Sequence, residues 1–278
     1  MSLGILTNVA ATYAQNNLNQ TQTSLQGVLQ QLSSGSRINS GADDAAGLAV
    51  ADGLKANAAA LTQSAQNAQN GVGLLQTADG ALSQVTNLLT RAVTLATQAS
   101  NSTLNTAQLS AANTEFQSIV TEIGNIGSKT NFNGNSVFSA TAASIVTTDG
   151  TTSGTTTFAP VVGVLTSTSI GGTTVTLGAD VLTTNAGAAS ALTDITASIA
   201  AVAAQRGTIG ASINQLNAAS SVASVESVNL SSAEASIRST NYGQATSDLA
   251  KFQVLSQTGI SALAQANSVQ QEILKLLQ

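Results

Sequence analysis

Apolar residues recur along this chain at a helical period, and in two places they do so for long enough to define an architecture. Steps of seven residues link Leu54, Leu61, Ala68, Leu75, Leu82, Leu89 and Ala96, and three residues beyond the later members stand Ala78, Val85, Ala92 and Ala99. A seam sustained at a period of about 3.5 residues is the mark of one helix of a coiled coil. At about 1.5 Å per residue the helix is predicted to run roughly 65 to 80 Å. It needs an equally long partner, and the same step recurs at Ile195, Val202, Ile209, Leu216, Ala223, Leu230 and Ile237, with Leu192, Ile199 and Ile213 reinforcing the first half. Two matching seams far apart in the chain predict an elongated antiparallel rod with the intervening residues at its far tip.

The flanks are helical too. Residues 3–32 place Leu3, Leu6, Val9, Ala10, Tyr13, Ala14, Leu18, Leu25, Val28, Leu29 and Leu32 on a helical period, an amphipathic helix too short to hold itself together alone. The last helix carries Leu249, Phe252, Leu255, Ile260, Leu263, Ile273, Leu274, Leu276 and Leu277, an apolar surface large enough to mark a partner site. Between the first helix and the long seam, Gly35 and Gly41 with Ser33, Ser34, Ser36, Asn39 and Ser40 interrupt the period. Asp43 and Asp44 follow where the positive end of the next helix favours a carboxylate. Arg37 beside them reads as a local charge pair around a linker rather than as part of a catalytic dyad.

After the long helix, residues 100–105 form a polar break. A second helix is predicted over 106–128 from Leu109, Phe116, Ile119, Val120, Ile123 and Ile126, ended by Gly124, Gly127 and the run NFNGN, whose Asn133 and Gly134 suit a hairpin turn. Residues 139–190 are dominated by Thr, Gly, Ser and Val and hold the single proline, Pro160. Their short β-branched runs, SIVTT, VVGVLTSTSI and TTVTLG, read as several short strands forming a small β-rich domain or an elaborated loop. Both seams lie outside 145–183, so that span is expected to be removable without touching the helices.

Composition narrows the chemistry. Only 8% of residues are charged, so the polar surface is built from Ser, Thr, Asn and Gln and can be covered by a neighbouring copy without stranding charges. The absence of His and Cys excludes His-based acid/base or metal chemistry, thiol catalysis and disulfides. A net charge of -5 with eight scattered basic residues gives no footprint for nucleic acid. A Ser- or Asp-dependent hydrolase hidden in 139–190 would need a nucleophile elbow, a metal cluster or a base, and that stretch offers none. No cofactor is expected, and the reading is not an enzyme. The N-terminal residues lack the basic start and apolar core of a secretory signal, and no run is expected to be long enough to cross a bilayer.

The run LSSGSRINSGADDAAGLAVAD at 32–52 closely resembles the N-terminal segment of bacterial flagellin, the subunit of the flagellar filament. The similarity continues through QNAQNGVGLLQTADGALSQV at 66–85 and TNFNGNSVF at 130–138. It returns at RGTIGASINQL, NLSSAEASIRSTNY and ISALAQANSVQQEILKLLQ in the last third. The resemblance implies a mainly α architecture: an inner coiled coil of 1–42 with 236–278, a rod-like helical core of 43–138 with 189–235 that includes a β-hairpin, and a variable β-rich outer domain at 139–188. The intramolecular seam falls to Leu54, Leu61, Leu75, Leu82, Leu89, Ile195, Val202, Ile209 and Leu216. Inner-layer assembly falls to Leu18, Leu25, Leu29, Leu32, Leu249, Phe252, Leu263, Ile273 and Leu277.

It implies further a secreted, extracellular homopolymer used for swimming, served by an export chaperone, a filament cap and hook-junction proteins. A hook-filament junction protein is the alternative. O-linked glycans on the middle hydroxyls are also implied, although β-propensity alone accounts for the Thr-rich strands. NLLTRAVTLATQAS resembles the segment recognised by a Toll-like innate immune receptor, with Arg91 and Leu95 matching there and Glu115 on the next helix. The alternative reading pairs Arg91 with Glu115 for structural reasons. Two departures stand out. Ser239 and Asn241 replace the acidic residues usual after Arg238, leaving Asp43, Asp44, Glu234 or a neighbouring subunit as its partner, and Gln270 replaces a proline, so the last helix should run unbroken toward Leu277.

Overall fold

The computed structural model describes residues 8–141, 143–148, 156–159, 162–170 and 173–276, with the side chains of 273–276 left aside. The fold is mainly α. Helices α1 (Val9–Ser34), α2 (Ala45–Ala99), α3 (Thr106–Lys129), α4 (Asn185–Arg238) and α5 (Tyr242–Leu276) carry most of it. The short strands β1 (Asn131–Phe132), β2 (Asn135–Ser136), β3 (Ile145–Thr147), β4 (Thr156–Phe158), β5 (Leu165–Thr166), β6 (Ser169–Ile170) and β7 (Thr173–Thr174) lie between α3 and α4. The chain divides into two compact units, Met1–Lys55 with Leu230–Gln278, and Ala56–Asn229.

In the first unit α1 and α5 pack antiparallel. Asn8 Nδ2 donates to the Ala266 carbonyl at 2.9 Å, Leu18 lies over Gly259, and Thr240 Oγ1 donates to the Gln31 carbonyl at 3.3 Å. The Asn8 side chain caps α1 by accepting from Ala11 N, and Gly35 closes it at a φ of 71°. The two linkers then pair with each other. Arg37 N donates to the Arg238 carbonyl at 2.7 Å, and Thr240 N donates to the Gly35 carbonyl at 3.0 Å, around an antiparallel Ser36–Ser239 bridge. Ile38 is buried at this joint, a residue that its polar surroundings in sequence did not single out.

The local pair expected between Arg37 and Asp43 or Asp44 is corrected here. Arg37 Nη2 donates instead to the Ile237 carbonyl at 2.9 Å, because the linker ribbon brings the end of α4 alongside. Asp43 Oδ2 accepts from Ser40 N at 2.8 Å and Asn39 N at 3.0 Å, and these backbone donors hold its carboxyl below the usual range. Asp44 Oδ1 accepts from Gly47 N at 2.8 Å and so caps the start of α2. Arg238 reaches Asp52 at 3.3 Å and Glu234 at 3.5 Å. Of its expected partners Glu234 is therefore present, while Asp52, about two turns inside α2, was not foreseen.

In the second unit α2 and α4 run antiparallel in a fixed register. Ser227 Oγ donates to the Ala58 carbonyl, Ser220 Oγ to the Ala65 carbonyl, Arg206 pairs with Asp79, and Asn185 Nδ2 donates to the Ala99 carbonyl. The first three pairs advance on α2 by one heptad and then two, and retreat on α4 by the same steps. Matching heptads in opposite directions keep the two seams face to face along the pairing. A reciprocal capping box starts α3: Gln108 N donates to Asn105 Oδ1 at 2.9 Å, and Asn105 N donates to Gln108 Oε1 at 3.0 Å. The β1–β2 hairpin turns on Asn133 and Gly134, with φ of 50° and 81°, the geometry a two-residue turn of this hand demands.

Among its described residues the middle segment builds no core separate from the helices. Ile145, Val162, Leu165, Ile170, Val175, Leu177 and Leu182 are buried in the same cluster as the seams and Phe116. The β3–β4 hairpin is tied to α2, with Thr148 N donating to Ser64 Oγ at 2.7 Å and Asn67 Nδ2 donating to the Val146 carbonyl at 3.0 Å. The β5–β6–β7 sheet lies on α3, where the Leu165 backbone passes so close to Gly127 that a side chain there would collide with it. The expectation that 145–183 is removable without touching the helices is thereby corrected, since the helices' core includes its side chains.

The expectation about bilayer-length runs is corrected as well. Among the described residues one helix, α4, contains a window long and apolar enough by composition to cross a membrane, with a mean hydropathy of 1.4. Alanine, abundant in α4, scores as apolar while adding only a methyl group, and the larger apolar residues Ile195, Val202, Ile209 and Leu216 are packed in the protein core.

Candidate assembly surfaces

The seam residues divide by unit. Leu61, Leu75, Leu82, Leu89, Ile195, Val202, Ile209 and Leu216 are buried, whereas Leu54 is half-buried. Polar side chains enter the seam where they find backbone partners. Ser64 receives Thr148 N as above, and Ser198 Oγ donates to the Asp194 carbonyl at 2.7 Å. Arg206 Nε donates to Asp79 Oδ1 at 2.7 Å and Nη2 to Oδ2 at 3.2 Å across the helices. This forked pair was not picked out in the sequence, since nothing in the spacing links residues so far apart.

The residues assigned to inner-layer assembly lie differently. Leu18, Leu25, Leu32, Leu249, Phe252 and Leu263 are half-buried and Leu29 is exposed. Ile273 lies within α5 but its side chain is not among those described, and Leu277 lies outside the described residues. α1 buries none of its residues fully, and among the described side chains of α5 only Ala245 is buried. Val9, Tyr13 and Leu29 on α1 and Val254, Leu255, Ile260 and Val269 on α5 face solvent. A further apolar row, missed in the sequence because it falls off the seam, is Val222, Val225 and Val228 on α4, which are 64%, 63% and 68% exposed.

The three residues matched to a receptor contact are brought near one another, but they do not share one surface. Arg91 Nε and Nη2 donate to Glu115 Oε1 and Oε2 at 2.7 and 3.0 Å, with side-chain exposures of 57% and 45%. The bidentate bond holds the Glu115 carboxyl below and the Arg91 guanidinium above their usual ranges. Thr94 Oγ1 donates to the Arg91 carbonyl at 2.7 Å. Leu95, one turn further along α2, is 3% exposed and packed within the core.

A model of the bacterial flagellin N-terminal helical region matches residues 5–143, and one of the bacterial flagellin C-terminal helical region matches residues 192–277. The phase 1 flagellin of Salmonella naestved and the flagellin of Salmonella dublin are each 42% identical to this chain over 139 residues, which is 50% of this chain and 28% of theirs. The chain thus aligns with little more than a quarter of the length of these relatives. The crystal structure of Bacillus cereus flagellin is 33% identical, with a TM-score of 0.45, over 55% of this chain and 85% of that one. With both terminal helical regions matched, the chain belongs to the bacterial flagellin family.

Proposed function

We propose that this chain is a structural subunit that self-assembles into the helical filament of the bacterial flagellum, outside the cell, and serves swimming motility. The observation that carries the reading is the α1–α5 pair, two helices that meet along one face while Leu29, Ile260 and their neighbours remain uncovered. Second copies would cover those residues, at roughly 25 cal/mol per Å² of apolar area removed from water. Residues 1–42 with 236–278 then form the inner layer, 43–138 with 189–235 the next, and 139–188 faces outward. An export chaperone that shields the α5 face, a filament cap and junction proteins follow as partners.

Purified protein brought to high concentration with a precipitating salt should form long filaments in negative stain. The double variant Leu29→Asp with Ile260→Asp puts charges on already exposed positions, so its far-ultraviolet circular dichroism should match wild type while filaments vanish. Filaments at wild-type yield from that variant would overturn the proposal. Short rings in place of filaments from the unmodified protein would favour the junction reading.

A second reading rests on the exposed Arg91–Glu115 fork. It presents a rigid, charged contact suited to an Arg-centred interface with a Toll-like innate immune receptor. Arg91→Ala with Glu115→Ala should weaken receptor signalling by the monomer at least tenfold. A wild-type protein that gives no signal would dismiss this reading.

A further inference from the structure

The second unit holds three basic side chains, Arg91, Lys129 and Arg206. Two are taken, Arg91 by Glu115 and Arg206 by Asp79, and Lys129 lies in the last turn of α3. Asp180 and Asp194 are left as an acidic pair. Asp180 belongs to the segment that leads from β7 into α4, and backbone bonds at Asp180 and Leu182, not its carboxylate, hold it in place. Gln117 Nε2 of α3 donates to the Asp180 carbonyl at 2.7 Å, and Leu182 N donates to Asn113 Oδ1 of α3 at 2.8 Å. Thr176 donates its hydroxyl to Asp194 Oδ2 on α4. Leu177 and Leu182 are buried on either side of Asp180.

The Asp180 carboxylate is thus drawn against α3 and α4, and its Oδ2 is buried without a hydrogen-bond partner. α4 presents Asp194 to it. α3 presents the neutral Asn113 and Gln117, while its own carboxylates turn elsewhere, Glu115 to Arg91 and Glu122 to Asn125. An unpartnered buried oxygen facing a second anion is costly while charged and is relieved by one proton.

We propose that this pair makes the second unit proton-sensitive: a proton taken up by Asp180 tightens the 176–184 segment on α3 and α4, and its release loosens that segment. Burial first, then the Asp194 charge, push the Asp180 carboxyl up to about 6 from an ordinary 3.8. A group raised in this way contributes stability that is fully present below the unfolded value and is lost as pH rises through the folded one. The chain has no His, the side chain that ordinarily titrates between pH 5 and 7. A folding change in that window therefore points to a displaced carboxyl.

The test is denaturant unfolding of the full-length monomer at pH 5 and pH 7. Wild type should lose up to about tenfold in its folding equilibrium between the two. Asp180→Asn, neutral at both, should lose none. Asp194→Asn removes the neighbouring charge and should move the wild-type transition to lower pH. Equal pH dependence in wild type and Asp180→Asn would overturn the proposal. If Asp180→Asn does not fold, the carbon-13 shift of the Asp180 carboxyl in wild type decides the matter. A midpoint near 6 supports the latch and one below 4.5 sinks it.

Discussion

Leu82 sits in the middle of the α2 seam at 1% exposure, with Val85 and Leu89 buried beyond it. Leu82→Asp would bury a carboxylate there, and the nearby Arg206 is already forked to Asp79. The substitution should cost about 3 to 5 kcal/mol and leave a flagellin-null strain complemented with it non-motile, with filament length in that strain as the check. Gly127→Ala tests a different constraint, the passage of the Leu165 backbone across α3. It should cost about 1 to 3 kcal/mol in a denaturant melt, even though alanine favours a helix, because backbone cannot yield as a side-chain tip can. Exposed pairs contribute little by comparison. Removing Arg91 and Glu115 together should leave the denaturant midpoint essentially unchanged, so a loss of signalling there would report on contact and not on folding. At this scale the sequence is legible where a residue repeats a period, as Leu75 and Leu82 do. It is silent where the partner comes from elsewhere in the chain, as with Arg37 and the Ile237 carbonyl.

The long helices could be read from pattern because their seams repeat over many turns, and each repeat is independent testimony to the same face. The strands could be read only as strands. Each spans two or three residues, too few for alternation to say which surface they will cover. Their destination is written instead on the helices, in Gly71 beneath Ile145 and Gly127 beneath Leu165, positions that look like helix defects until the strands are placed over them. Deleting 145–183 would therefore remove Ile145, Val162, Leu165, Ile170, Val175, Leu177 and Leu182 from the shared core. At about 1.5 to 3 kcal/mol for each buried apolar side chain, the loss exceeds what a domain's marginal stability tolerates. The trimmed protein should show no cooperative unfolding transition. A sharp transition at the wild-type urea midpoint would mean that the segment is dispensable after all.

Across the whole molecule, burial is unevenly shared. The second unit holds the contiguous core of seam leucines, Phe116 and the strand residues, while α1 buries none of its residues fully and α5 only Ala245 among those described. Ordering costs about 1 to 2 kcal/mol of backbone entropy per residue whichever helix is fixed, so a pair that meets along one face starts at a disadvantage. Both helices are rich in Asn, Gln, Ser and Thr, and lone helices of such modest propensity are marginal in water. The sequence forecast the apolar surplus on these helices, since a two-helix pair has only one face to bury. In the free subunit the amides of Val9–Ser34 and Tyr242–Leu276 should exchange with solvent within seconds, while those of α3 and of residues 61–96 in α2 stay protected. Assembly should reverse this, because copies that cover Leu29, Val254 and Ile260 bind only the ordered form and so draw the equilibrium toward it. Hydrogen exchange on monomer and on filament measures both halves of the claim. Strong protection of α5 in the monomer would show that the pair folds without its neighbours, and polymerisation would then have to draw its driving force from surfaces such as Val222, Val225 and Val228.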